Sequence, residues 1–377
     1  MKSTIILVTK DALKYDSLPL YGNKLWNTPN INHLASKGTI FCNHYTNAPS
    51  TSMAVVCMFS GLNAHELERR YYTEVEHFNQ ASTVFDMFQD RGYETHVFWT
   101  EGDYKATYPY TKCYSKNTIF HIITSKTEEI KQEIIKLNKV NKFLWIHMPA
   151  YLNGKKYYGS DIEDFDNFIG FLRDSFGDEC IFITSDHGYF SLNKGLVFYG
   201  FHVYNDAIKV PFISPRIDNL NEIQFPTSHR QFKEILFEKR IKKQQYVFSD
   251  TQYYLQSYRR LAIIKDNYKY IYNKFENSEE FYDLEYDPDE IINLVIDFKG
   301  LKILESHRHR TVPFELITYY PYREKAFTVY QELRKVKENI WREGKWYQEM
   351  PRKIKAYCKN ISYSIKCLKK DIIKMPF

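Results

Sequence analysis

The sequence has little with which to bridge, chelate through thiols or cross a membrane. Its six cysteines, Cys42, Cys57, Cys113, Cys180, Cys358 and Cys367, form no CxxC and no zinc-ligand spacing. Several lie inside apolar runs, so they read as reduced, buried thiols rather than a disulfide framework. No run approaches the roughly 20 apolar residues a spanning helix needs. The opening MKSTIILVTKDALKYD is too short in apolar residues for a secretory leader, which gives the expectation of a cytoplasmic protein. Internal repeats and low-complexity linkers are also missing. At 377 residues, one large α/β domain with an appendage fits better than several small domains.

The charge is small but uneven. Of a net +6, residues 321–377 carry +9, so the rest sums to −3. The body is therefore no basic nucleic-acid surface, and no nucleic-acid partner is expected. From Pro351 to Phe377, Ile354, Tyr357, Ile361, Ile365, Leu368 and Ile372 recur at helical spacing among eight Lys or Arg and one Asp. This predicts a basic amphipathic helix, suited either to an anionic membrane surface or to docking on the body with its cations in water.

What is present begins with short β-branched runs. Thr4 to Thr9, without polar alternation, predicts a strand buried on both faces of a parallel sheet and places Asp11 at its carboxyl edge, where open α/β sheets bind ligands. Asn30 to Lys37, Ser82 to Arg91, Lys126 to Lys136 and Ile162 to Phe176 predict helices. Thr39 to Cys42, Glu94 to Trp99, Lys142 to His147 and Glu179 to Thr184 predict strands. The rhythm is that of a doubly wound sheet flanked by helices. From about Phe248 closely spaced strands predict a small antiparallel subdomain to about residue 297, followed by a basic helical tail over 298–377.

The stretch NAPSTSMAVVCMFSGL, Asn47 to Leu62, sets a hydroxyl cluster before an apolar run ending in Gly61. One reading is a simple helix N-cap. The other is a nucleophile, Thr51, at a helix N-terminus whose free N–H groups favour an anionic ester. Asp186-His187-Gly188 follows a predicted strand, and with Asp11 it offers oxygen and nitrogen donors suited to Zn²⁺ or Mn²⁺, with Thr51 as a fourth ligand. A metal ion, one or two, would make the threonine hydroxyl a usable alkoxide. His147 and His202 would stand near the non-bridging oxygens or the leaving group. Singly, each of these residues also suits a capped turn or a satisfied core histidine.

The order of these motifs resembles the alkaline phosphatase superfamily, in its sulfatase and phosphoethanolamine-transferase branches. ILVTKDALKYDSLPLYG with TPNINHLASKG is similar to the sulfatase opening, FITSDHG to its second metal motif, and IKDNYKYIYN with EEFYDLEYDPDEIINL to its C-terminal signature. The resemblance implies Asp11, Asp186 and His187 as metal ligands. Sulfatases carry a formylglycine precursor, Cys or Ser, in a C/S-x-P-x-R context. Here that position is Thr51, with Met53 for the Pro and Val55 for the Arg, and threonine cannot become formylglycine. Thr51 followed by Cys57-Met58-Phe59-Ser60, and IHMPAY around His147, resemble instead the phosphoethanolamine transferases, with His202 as their later histidine. Those transferases have an N-terminal transmembrane block and a Glu where this chain has Asp11.

The expectation is a metal-dependent phosphotransferase moving a phosphoethanolamine- or phosphoglycerol-type group through a phosphothreonine. Its donor would be a phospholipid or other phosphodiester, its acceptor a surface-glycan or lipid-linked glycan precursor, with peripheral membrane contact through the tail. The alternatives are a phosphodiesterase or phosphonate monoester hydrolase, a sulfatase, and a metal-free scaffold. Lys10 gives the last some weight, since many relatives carry a second acidic residue there and a cation would repel a second metal ion.

Overall fold

The computed structural model describes residues 3–71, 74–77, 82–100, 113–137, 140–155, 159–251, 259–295 and 314–343. The eight strands of the central sheet are, in chain order, β1 (Ile5–Lys10), β2 (Thr39–Phe41), β3 (Glu94–Thr100), β4 (Ile119–Ile123), β5 (Lys142–Met148), β6 (Ile181–Ser185), β7 (Phe212–Ser214) and β8 (Glu222–Ile223). They lie side by side in the order β8-β2-β7-β6-β1-β5-β3-β4. Every pairing is parallel except those of β7, which runs against both β2 and β6. The sheet is therefore mixed, and the parallel expectation fails at this one strand of three residues, too short to show a period.

Alternate residues of the central strands enter two different cores, as a period of two requires. Ile6, Val8, Ile146 and Ile183 join one layer with helices α1 (Pro29–Lys37), α4 (Thr127–Ile135) and α5 (Ile162–Phe176). Leu7, Trp145 and Phe182 join the other, with α2 (Thr51–Ser60) and α3 (Val84–Asp90). Burial on both faces is what makes these strands read as unbroken apolar runs. Register places the strand ends level, with Lys10 opposite both Met148 and Ser185. Asp11, His147 and Asp186 thus leave neighbouring strands at one edge.

The chain divides into two compact units, 1–342 and 343–377. Within the first, a four-stranded antiparallel sheet of Val247–Asp250, Arg260–Lys265, Tyr268–Asn273 and Ser278–Asp283 forms as expected. The helix Phe314–Glu343 packs Ala326, Tyr330 and Leu333 onto Leu261, Ile263 and Phe281 of that sheet. Much of the segment expected as a separate tail from residue 298 therefore belongs to the first unit, because its apolar side has a sheet to cover. The predicted amphipathic helix at 351–377 lies outside the described residues. Among the described residues no helix is long and apolar enough to cross a membrane.

Candidate active site and metal centre

Helix α2 places Thr51. Nine of its ten residues are buried, as the apolar run from Met53 to Phe59 requires, and Gly61 ends it in the left-handed conformation at φ 72° with its N–H bonded to the Cys57 carbonyl. Ser50 precedes it in extended conformation, and its side chain makes no cap. Thr51 is the half-buried first residue, facing the partial positive charge of the helix end.

The Thr51 hydroxyl lies 3.1 Å from His187 Nε2. His187 Nδ1 is 2.8 Å from the Gly188 carbonyl oxygen. A carbonyl can only accept, so Nδ1 carries the proton and Nε2 presents its lone pair to the cluster. Tyr199 packs against the same imidazole, ring centroids 4.2 Å apart. Nε2 is also 3.4 Å from Asp186 Oδ2 and 3.7 Å from Asp11 Oδ1.

Asp186 is wholly buried. Its Oδ1 accepts the backbone N–H groups of Ala12 (3.1 Å) and His187 (2.9 Å), which aims Oδ2 into the cluster. Burial alone would raise its pKa, yet the imidazoles of His187 and His147, the Thr51 hydroxyl and the Ala12 amide hold it below the usual carboxylate value. Ser185 ties the two loops: its hydroxyl is within 2.7 Å of the Lys10 carbonyl and 2.6 Å of the His187 carbonyl, and accepts Leu13 N–H at 2.9 Å.

His147 is buried at the end of β5, its Nδ1 2.8 Å from the Thr9 hydroxyl, which also accepts Trp145 Nε1–H at 2.9 Å. Trp99 and Trp145 wall the ring, each with its centroid 5.6 Å away. Ligand atoms of Asp11, His147 and Asp186 all lie within 4.8 Å of one another. This donor set fits a divalent cation: two carboxylates meet there, and Asp186 Oδ2 makes no full hydrogen bond within the protein. Zinc and manganese are equally compatible with such oxygen and nitrogen donors.

The five residues Asp11, Thr51, His147, Asp186 and His187 thus come together. His202 does not join them by any described contact. It stacks on Tyr204 at 5.8 Å and meets the edge of Phe190 at 6.0 Å, and burial beside Arg260 pushes its pKa down to about 4. Lys10 turns elsewhere: its buried ammonium pairs with Asp161 at 3.0 Å and donates to the Pro149 and Ala150 carbonyls at 2.8 Å each. Its charge is answered there, so it is a weak argument against metal. Sequence reasoning missed Thr9 and Ser185. Both are small hydroxyl residues at strand ends beside Lys10 and Asp186, a placement that could have marked them.

Residues 3–178 match the Sulfatase family model. Over 95 residues the chain is 30% identical to an arylsulfatase of Clostridium perfringens and 30% identical to arylsulfatase K of Danio rerio. Each match takes in 25% of this chain, and the chain spans only about a fifth of the length of these relatives, 20% and 18%. Among solved structures it is similar to a 2-O GAG sulfatase, with a TM-score of 0.65 and 16% identity over 86% of this chain and 93% of the other. It is also similar to the phosphonate monoester hydrolase of Agrobacterium radiobacter, with a TM-score of 0.59 and 12% identity over 81% and 94%. Residues 3–178 are thus similar to the Sulfatase family, and the fold, a mixed sheet flanked by helices with a small antiparallel sheet beside it, is like that of the sulfatase and phosphonate monoester hydrolase structures.

Proposed function

We propose that the chain is a metal-dependent phosphotransferase or phosphoester hydrolase that works through a covalent phosphothreonine at Thr51. The observation that carries this reading is the Thr51 hydroxyl at the head of α2, 3.1 Å from the unprotonated nitrogen of His187. A secondary alcohol cannot be oxidised to the aldehyde of formylglycine, so the hydroxyl itself is the nucleophile. That chemistry suits phosphorus better than a sulfatase cycle.

In the proposed reaction Thr51 Oγ1 attacks phosphorus while its proton passes toward His187 Nε2. The Oγ1–P bond forms as the bond to the leaving oxygen breaks, and a second nucleophile, water or an acceptor hydroxyl, releases the group. A bound divalent cation would be held by Asp11, His147 and Asp186, whose ligand atoms converge, and would lower the hydroxyl pKa and neutralise charge on the phosphoryl oxygens.

In its finer form the reading has a phosphoethanolamine- or phosphoglycerol-type group moved from a phospholipid onto a glycan precursor, with residues 351–377 resting on an anionic membrane from the cytoplasmic side. The phosphonate monoester hydrolase neighbour supports the second reading, in which water resolves the intermediate. Incubation with phosphatidylethanolamine, phosphatidylglycerol and a simple phosphodiester, followed by product analysis with and without an added glycan acceptor, separates the two. Release of free phosphoester that ignores the acceptor selects the hydrolase. No product from any donor counts against both.

A further inference from the structure

One chain of hydrogen bonds runs behind the candidate metal centre, and the sheet register builds it. Thr9 of β1 lies directly opposite His147 of β5, and Trp145, two residues earlier on β5, projects from the same face. All three side chains are wholly buried. Trp145 Nε1–H can only donate, and it meets Thr9 Oγ1 at 2.9 Å; His147 Nδ1 lies 2.8 Å from the same oxygen. Among the described residues the Thr9 hydroxyl makes these two hydrogen bonds and no others.

With the indole on one lone pair, the hydroxyl keeps two ways of meeting the imidazole. It donates its own hydrogen to a bare Nδ1, or it accepts Nδ1–H on its second lone pair. A cation decides between them. Nδ1 is turned to Thr9, so Nε2 is the nitrogen that His147 offers to the space it shares with Asp11 and Asp186, and a coordinating nitrogen must hold a lone pair. The hydrogen of the neutral ring then sits on Nδ1, where it needs an acceptor in a place without water. Trp99 and Trp145 pack on the ring, each with its centroid 5.6 Å away, so the imidazole has little room to turn toward another one.

We propose that Thr9 is a positioning residue for metal binding: its hydroxyl, anchored by Trp145, accepts Nδ1–H of His147 and so fixes both the aim of that ring and the tautomer whose Nε2 can coordinate. The proposal rests on the metal-dependent reading above. It adds to that reading a residue that acts only through His147.

The test is calorimetric titration of Zn²⁺ into the metal-free full chain for wild type, Thr9→Val and Thr9→Ser, the site being the one lost in Asp186→Asn. Valine keeps the shape but can neither donate nor accept, whereas serine keeps the hydroxyl. The dissociation constant should rise about 10–100-fold in Thr9→Val and stay near the wild-type value in Thr9→Ser. A second readout needs no variant at Thr9 and no turnover. In the proton–nitrogen NMR spectrum of histidine-labelled, zinc-loaded wild type, the His147 signals, identified by their loss in His147→Gln, should show a hydrogen on Nδ1 that is hydrogen-bonded and slow to exchange. Equal zinc affinity in wild type and Thr9→Val overturns the proposal and leaves the metal-dependent reading in place. So does a zinc-loaded His147 with no hydrogen on Nδ1, which decides the matter if Thr9→Val fails to fold. A wild-type chain that binds no Zn²⁺ overturns both.

Discussion

At the residue scale the site depends on which nitrogen of His187 carries the proton. The Gly188 carbonyl fixes that, and Gly188 is itself fixed by close packing: a Cβ there would meet the Asp206 carbonyl oxygen at 2.1 Å. Gly188→Ala is therefore expected to displace the imidazole and lower turnover as well as stability, which kinetics and thermal unfolding on one preparation would show. Two carboxylates sharing one site repel unless a cation joins them. Added Zn²⁺ or Mn²⁺ should then stabilise the protein by about 2.7 kcal/mol at a hundred times the dissociation constant. Calorimetry should find that gain largely lost in Asp186→Asn. Lys10 and Asp161 are both buried, so Lys10→Met strands a carboxylate and should cost about 3–5 kcal/mol in denaturant unfolding. A cost near zero would mean Asp161 finds another partner.

At the element scale, helix α2 was the most legible part of the sequence. The ten residues from Thr51 to Ser60 are bracketed by an extended Ser50 and a left-handed Gly61, and the apolar run inside is uniform because the helix is buried all round. Asp11 and the Asp186–His187 pair were legible for a related reason: each directly follows a β-branched run buried on both faces. The bounds of helix α1 were legible too, Asn30 to Lys37 against an observed Pro29–Lys37, but its cap was not. Its N-terminal amides are met from a distant element, Asp166 of α5 accepting Asn30 N–H at 3.2 Å, Asn30 Nδ2 at 2.9 Å and Ile31 N–H at 2.8 Å. No local pattern announces a cap 135 residues away. Asp166→Ala should orphan these donors and cost about 1–3 kcal/mol, measured as a shift in the urea midpoint at constant slope.

At the scale of the whole molecule, the two-layer core and the antiparallel C-terminal sheet could be read from periodicity, while the reversal at β7 and the edge strand β4 could not. A three-residue strand has too few side chains to alternate, and β4 shows only IFHII, with two of its five residues exposed and one buried. His202 was placed by resemblance, and its described contacts are aromatic. The buried histidines also set a global pH response. Burial pushes His65 and His229 down to about 3 and His202 to about 4, so the folded chain keeps them neutral where the unfolded chain protonates near the ordinary value of about 6.5. Through that window the unfolded state binds more protons. Their contribution is complete above about pH 6.5 and drains away as the pH falls toward 4. Thermal midpoints measured from pH 7.5 down to 4.5 should decline accordingly, and a flat profile would show that these rings are already charged when folded.

The measurement that bears most directly on the central claim is intact-protein mass spectrometry of wild type and Thr51→Ala after exposure to phosphatidylethanolamine, phosphatidylglycerol and a simple phosphodiester in the presence of Zn²⁺ or Mn²⁺. The account predicts an adduct of phosphoester mass on wild type, mapped to the peptide containing Thr51 and absent from the variant. An adduct on another residue, or turnover that survives Thr51→Ala, would contradict it.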